Sequence, residues 1–182
     1  MKKVLSNKTG IVLLAAAVLQ LAACSALGSA TGTPAELPEP SLHIRDARNG
    51  QHFACVPVTE RRFELSFIHS VSLTPVRDLY QIENSTADAG SENRARALVI
   101  LQTAEHFIAH GQGLPSMAGE PDATAFEHKN GEFILQLQRP IPDLIVRTDH
   151  RFKNRLHTGY TTVNLNQWPN TGLRIEPVHH CE

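Results

Sequence analysis

Between Phe63 and Val71 apolar and polar residues alternate, with Phe63, Leu65, Phe67 and Val71 on one face and His69 near the end of it. That period-two pattern predicts a half-buried β-strand. Leu73-Thr74-Pro75 interrupts the run, and Val76, Tyr80 and Ile82 carry the alternation on to Glu83. Two such runs joined by a short Ser/Pro-bearing break read as an antiparallel hairpin. Asn84 to Arg96 is polar and turn-rich, the composition of an exposed loop. Ala97 to Ile108 is apolar and allows a strand or a short helix; its interruption by Thr103, with no 3.6-residue stepping, predicts a strand over Leu98–Phe107. Further strands are expected at Thr124–His128, Glu132–Gln138, Leu144–Thr148, Thr161–Leu165 and Leu173–Val178. Asn130-Gly131 tolerates positive φ and marks the turn between the first two of these. Many short strands with Gly, Pro and Asn punctuation predict an all-β fold, an antiparallel β-sandwich or barrel-like single domain with little helix.

The first residues follow a different logic. Lys2, Lys3 and Lys8 precede an apolar run from Ile11 to Leu19, and small residues lead to Cys24. This is the layout of a secretory signal, and the run falls short of the ~20 residues a membrane-spanning helix needs. Leu21-Ala22-Ala23-Cys24 resembles the lipobox of bacterial lipoproteins, which implies a signal over residues 1–23, cleavage before Cys24 and acylation of that cysteine. One acyl chain holds a protein only marginally, whereas several make the attachment effectively permanent. Residues 24–40 are small, polar and proline-bearing, the composition of a flexible tether, and residues 41–182 are then the folded domain. The expected location is the periplasmic side of a bacterial membrane, with the choice of inner or outer membrane open.

Composition narrows the function. The 182 residues carry 17 basic and 18 acidic side chains, for a net charge of −1. Without clustered positive charge, no nucleic-acid partner is expected. In an oxidising compartment Cys55 and Cys181 are either a disulfide closing almost the whole domain or two thiols, one buried and one on a frayed tail. No Gly-x-Ser-x-Gly elbow or His-Glu-x-x-His pattern is present, so neither a hydrolase nor a zinc enzyme is expected, and no cofactor.

The densest polar cluster is His69-Ser70-Val71, followed by Thr74-Pro75-Val76 and later by Gly111-Gln112-Gly113-Leu114-Pro115. These three motifs resemble those of the bacterial family catalogued as domain of unknown function 1850, across roughly Phe63 to Glu176. Gln112 stands where the family usually has Ala, and Asp78 where Glu is more typical. The resemblance implies a secreted or membrane-anchored companion of tripartite (TRAP) transporters of the TAXI class, which move small organic acids. The partners it implies are transporter subunits and a small organic acid.

The residue chemistry is compatible with that implication. A Gly-x-Gly loop can form a backbone nest for an anion, His69, Ser70 and Thr74 add hydrogen-bonding groups, and Arg77 can supply a charge-assisted bond to a carboxylate. The expected ligand set is therefore His69, Ser70, Thr74, Arg77, Gly111 and Gly113, although a tight turn alone would also account for the glycines. His106 and His110 are weak metal candidates: four residues apart, they share a helical face but stand too far apart on a straight strand for one ion. A metal-binding periplasmic protein and a structural envelope lipoprotein without a small ligand are the alternatives. Arg139 to Arg155 is locally basic and reads as a solvated face or a docking patch.

Overall fold

The computed structural model describes residues 39–85, 97–109 and 120–181, which form two antiparallel sheets packed as a sandwich. The strands are β1 (Ser41–Asp46), β2 (His52–Pro57), β3 (Arg62–Ile68), β4 (Pro75–Asn84), β5 (Leu98–Phe107), β6 (Ala123–Lys129), β7 (Glu132–Ile141), β8 (Leu144–Arg147), β9 (Arg155–His157), β10 (Thr162–Asn164) and β11 (Gly172–Val178). The smaller sheet has the order β2-β1-β11-β8 and the larger the order β10-β9-β3-β4-β5-β7-β6. Single 3₁₀ turns at His150–Phe152 and Leu165–Gln167 are the helical elements among the described residues.

The larger sheet follows the alternation. Phe63 and Leu65 on β3 are buried, and they face Tyr80 and Asp78 across the β3–β4 pair. Lys129 pairs with Glu132, and the two residues between them, Asn130 and Gly131, both have positive φ, at 55° and 82°. This is the backbone twist that a two-residue hairpin turn requires. The apolar segment before His110 is the strand β5, not a helix. The first run ends at Ile68 and not at Val71, because the chain turns there: His69 N–H donates to Thr74 O, and Leu73 N–H donates to His69 O, both at 2.9 Å. Val71 leaves the expected apolar face and is 60% exposed. Strands β1, β2 and β9 were not anticipated, and β1 occupies an inner position in the smaller sheet, between β2 and β11.

The apolar side chains form two cores. The main one joins the sheets through residues such as Leu42, Ile44, Phe63, Leu65, Ile82, Leu156, Leu173 and Ile175, with Trp168 packed against it and stacked on Phe53. A smaller one gathers Val76, Phe107, Leu135 and Leu137 with Phe67, Phe126 and Phe133. The disulfide is formed: Cys55 on β2 bonds to Cys181, three residues beyond β11, across 126 positions of sequence. Glu39 and Pro40, the last residues of the expected tether, already belong to the fold, since Val58 N–H donates to Pro40 O and Arg61 N–H to Glu39 Oε2. The signal, Cys24, the rest of the tether, His110, Gly111 and Gly113 lie outside the described residues.

Candidate functional site

Parity along β4 places Val76, Asp78, Tyr80 and Ile82 on one face and Arg77, Leu79 and Gln81 on the other. On β5 the alternation is broken. Tyr80 faces Gln102, Leu79 faces Ala104 and Asp78 faces Glu105, so Thr103 is the extra residue of a bulge. Thr103 Oγ1 pins it by donating to Leu79 O at 3.2 Å. The extra residue turns Glu105 round to the face that Ile100 and Gln102 already occupy. Arg139 on β7 is opposite Gln102. The outcome is a polar belt of Asp78, Gln102, Glu105 and Arg139, crossing three strands between the two apolar cores.

The belt is knit by weak bonds. Tyr80 Oη donates to Asp78 Oδ2 and Gln102 Nε2 to Asp78 Oδ1, both at 3.3 Å, while Arg139 Nη1 donates to Gln102 Oε1 at 3.4 Å. The rest of the Arg139 guanidinium is directed to Glu120, Asp122 and the Pro121 carbonyl. Burial pushes the Asp78 carboxyl up from 3.8 to about 6, against the lowering effects of the Tyr80 and Gln102 bonds and the Arg139 charge. Burial, and then the charge of Asp78, push Glu105 from 4.5 to about 7. Among the described residues Asp78 makes no ion pair. A carboxylate set into an apolar face with so little compensation is the kind of perturbed group that clusters at binding sites.

Asp78 and Tyr80 line a cleft of about 430 Å³ at the edge where β8 of the smaller sheet meets β3 and β4 of the larger. That volume is in the range of small-molecule sites. Its apolar walls are Leu65, Phe67, Leu144, Val146 and Phe152. His69 and Ser70 line it from the β3–β4 turn, and Arg147 of β8, Asn154 and Arg155 also line it.

His69 has a defined tautomer. The backbone N–H groups of Ser72 (3.2 Å) and Val71 (3.4 Å) donate to its Nδ1, which must therefore carry the lone pair, leaving the proton on Nε2. Arg147 is exposed and makes no ion pair among the described residues. Arg155 is bonded to Asn154 O and Asn164 Oδ1. Asn154 is 7% exposed, and its Oδ1 has no hydrogen-bond partner.

The expected ligand set is only partly brought together. His69 and Ser70 reach the cleft. Thr74 shares a hydrogen bond with Ser72 inside the turn. Arg77 is on the opposite face of the sheet, where it donates to His106 Nδ1 at 3.0 Å and pairs with Glu132 and Glu64. That pairing also occupies His106, and among the described residues no group of three or more His, Cys, Asp or Glu is placed to hold a metal ion. The basic stretch Arg139–Arg155 is not one patch: Arg139 belongs to the belt, Arg151 pairs with Asp149, and Arg147 borders the cleft. Sequence reasoning did not bring Asp78 and Arg147 together at one cleft, which the fold does. A signal for Asp78 was present, a single acid in the stripe Val76, Tyr80, Ile82.

Compared with known proteins, residues 63–165, more than half of the chain, match the family model described as domain of unknown function (DUF1850). No curated protein and no solved structure matches the chain.

Proposed function

The chain belongs to the DUF1850 family, and on that footing we propose that it is a lipid-anchored periplasmic accessory protein that binds a small organic acid for a TRAP-type transporter. The observation that carries the reading is the pair of donors at the cleft: Arg147 without an ion pair among the described residues, and His69 with its free proton on Nε2. Both suit a carboxylate, and the walls of Leu65, Phe67, Leu144 and Val146 suit the carbon chain behind it. The lipobox at Leu21-Ala22-Ala23-Cys24 supports the anchor, and the family resemblance supports the transporter as partner.

Thermal-shift titration with a panel of small carboxylates tests the binding site. At a hundredfold excess over Kd a ligand adds about 2.7 kcal/mol to stability, well within the resolution of a melting curve. Wild type and Arg77→Ala are expected to shift equally, and Arg147→Ala to lose most of the shift. Loss in Arg77→Ala with retention in Arg147→Ala would move the site to the outer face and refute the assignment. Mass spectrometry of the native N-terminus tests the anchor, with acylated Cys24 as the expected product.

A further inference from the structure

We infer that the ligand of this cleft is a small extended zwitterion, its ammonium against Asp78 and its carboxylate against His69 and Arg147. This rests on the reading of the cleft as an organic-acid site and names the class of acid.

Asp78 is the one acidic residue among those that line the cleft, which also include His69, Arg147 and Arg155. Asp78 accepts one hydrogen bond on each oxygen, from Tyr80 and Gln102. An ionised carboxylate offers about four acceptor sites, so roughly two remain. No cation pairs with Asp78 among the described residues; Arg139, whose charge acts on it, is bonded to Glu120, Asp122 and Gln102. His69, with its proton on Nε2, and Arg147 also line the cleft and offer donors. A plain carboxylic acid satisfies the donors and leaves Asp78 facing the ligand's apolar chain, which burial makes unfavourable. An ammonium at the other end supplies the missing counter-charge.

The spacing excludes an ordinary α-amino acid, whose charges are adjacent. Asp78 pairs with Leu65, and His69 is four residues further along the same chain. At about 3.3 Å per residue and one strand spacing across, their backbones are roughly 14 Å apart. With side chains standing roughly perpendicular to the sheet, and a hydrogen bond of about 2.9 Å at each end, the ligand's own charges are separated by about 8 Å. An ω-amino acid with five methylenes spans that distance.

Three six-carbon probes on the mature protein separate the possibilities: 6-aminohexanoate, hexanoate and leucine, measured by calorimetric titration. 6-Aminohexanoate is expected to bind at least about tenfold tighter than either of the others, the size of one charged hydrogen bond. In Asp78→Asn that preference is expected to collapse to within about twofold. Hexanoate or leucine binding as tightly as 6-aminohexanoate would overturn this inference alone, as would a preference that survives Asp78→Asn. If none of the three binds, both this inference and the reading beneath it fail.

Discussion

Replacing Asp78 by Asn is expected to make the protein more stable at neutral pH and not at acid pH. The carboxyl protonates near 3.8 in an unfolded chain and near 6 in the fold, chiefly because it is buried. The folded state therefore binds the proton more tightly, and ionisation opposes folding. Below pH 3.8 there is no penalty; it grows as pH rises and is complete above about 6. At about 1.4 kcal/mol per pH unit the full penalty is roughly 3 kcal/mol. Asn keeps the shape but offers one oxygen where Asp offers two, so Tyr80 or Gln102 loses its acceptor, returning about 1 kcal/mol. The net gain is about 2 kcal/mol at pH 7.5, declining to nothing or a small loss by pH 4.

Glu105, directly opposite, adds to the effect. Its carboxyl is raised to about 7 by burial first and by the Asp78 charge second, so removing that charge eases its ionisation as well. The two groups titrate as a pair, and the observed midpoints belong to both. Urea unfolding of wild type and Asp78→Asn at pH 7.5, 6, 5 and 4 reads the difference. Wild type itself should gain stability on acidification from pH 7.5 to about 5. A variant no more stable than wild type at pH 7.5, or a difference independent of pH, would refute the placement of this carboxylate.

Two further outcomes test the fold. Cys55→Ser with Cys181→Ser opens a loop of 126 positions and should lower stability by about 5 kcal/mol on the chain-entropy view, read as a lower urea midpoint that reductant no longer changes. Gly159→Ala should cost roughly 2–4 kcal/mol, because φ is +83° and a Cβ would meet Thr59 at 2.8 Å; Gly131→Ala, equally left-handed at +82° but open to solvent, should cost only about 1–2 kcal/mol in the same assay.

How much of this was legible depended on whether the signal was local. β5, the β6–β7 hairpin and the β3–β4 pair were visible because alternation and Asn-Gly are written into consecutive residues. β9 has a single apolar residue, Leu156, between Arg155 and His157, and acquires its strand character from pairing with β3. β1 offers only Leu42 and Ile44 beyond a proline-rich stretch, yet β2 and β11 flank it and bury both. At the cleft, the His-Ser motif coincides with the β3–β4 turn that borders it. Arg77 was drawn in by its charge although period-two parity already set it opposite Val76 and Tyr80. Glu105 could not have been placed, since its face depends on the bulge at Thr103, and nothing in the local pattern announces an extra residue.

The belt also explains why the cleft lies where it does. Along one face of the larger sheet the residues before and after it are Phe, Leu, Ile and Val, and they pack into cores on both sides. An apolar residue at position 78 would join those cores and stabilise the fold, because the present carboxylate is held by two bonds of 3.3 Å and opposes folding when ionised. A buried ionisable group is neutral or unfavourable for stability unless something completes its pairing. Tyr80 and Gln102 complete it only in part, and Asp78 also borders a cleft whose lining includes the donors His69 and Arg147. Among the described residues Asp78 has no cationic ion-pair partner, and under the zwitterion proposal the cleft is where one enters, so that the stability forgone in the empty protein would become affinity in the occupied one.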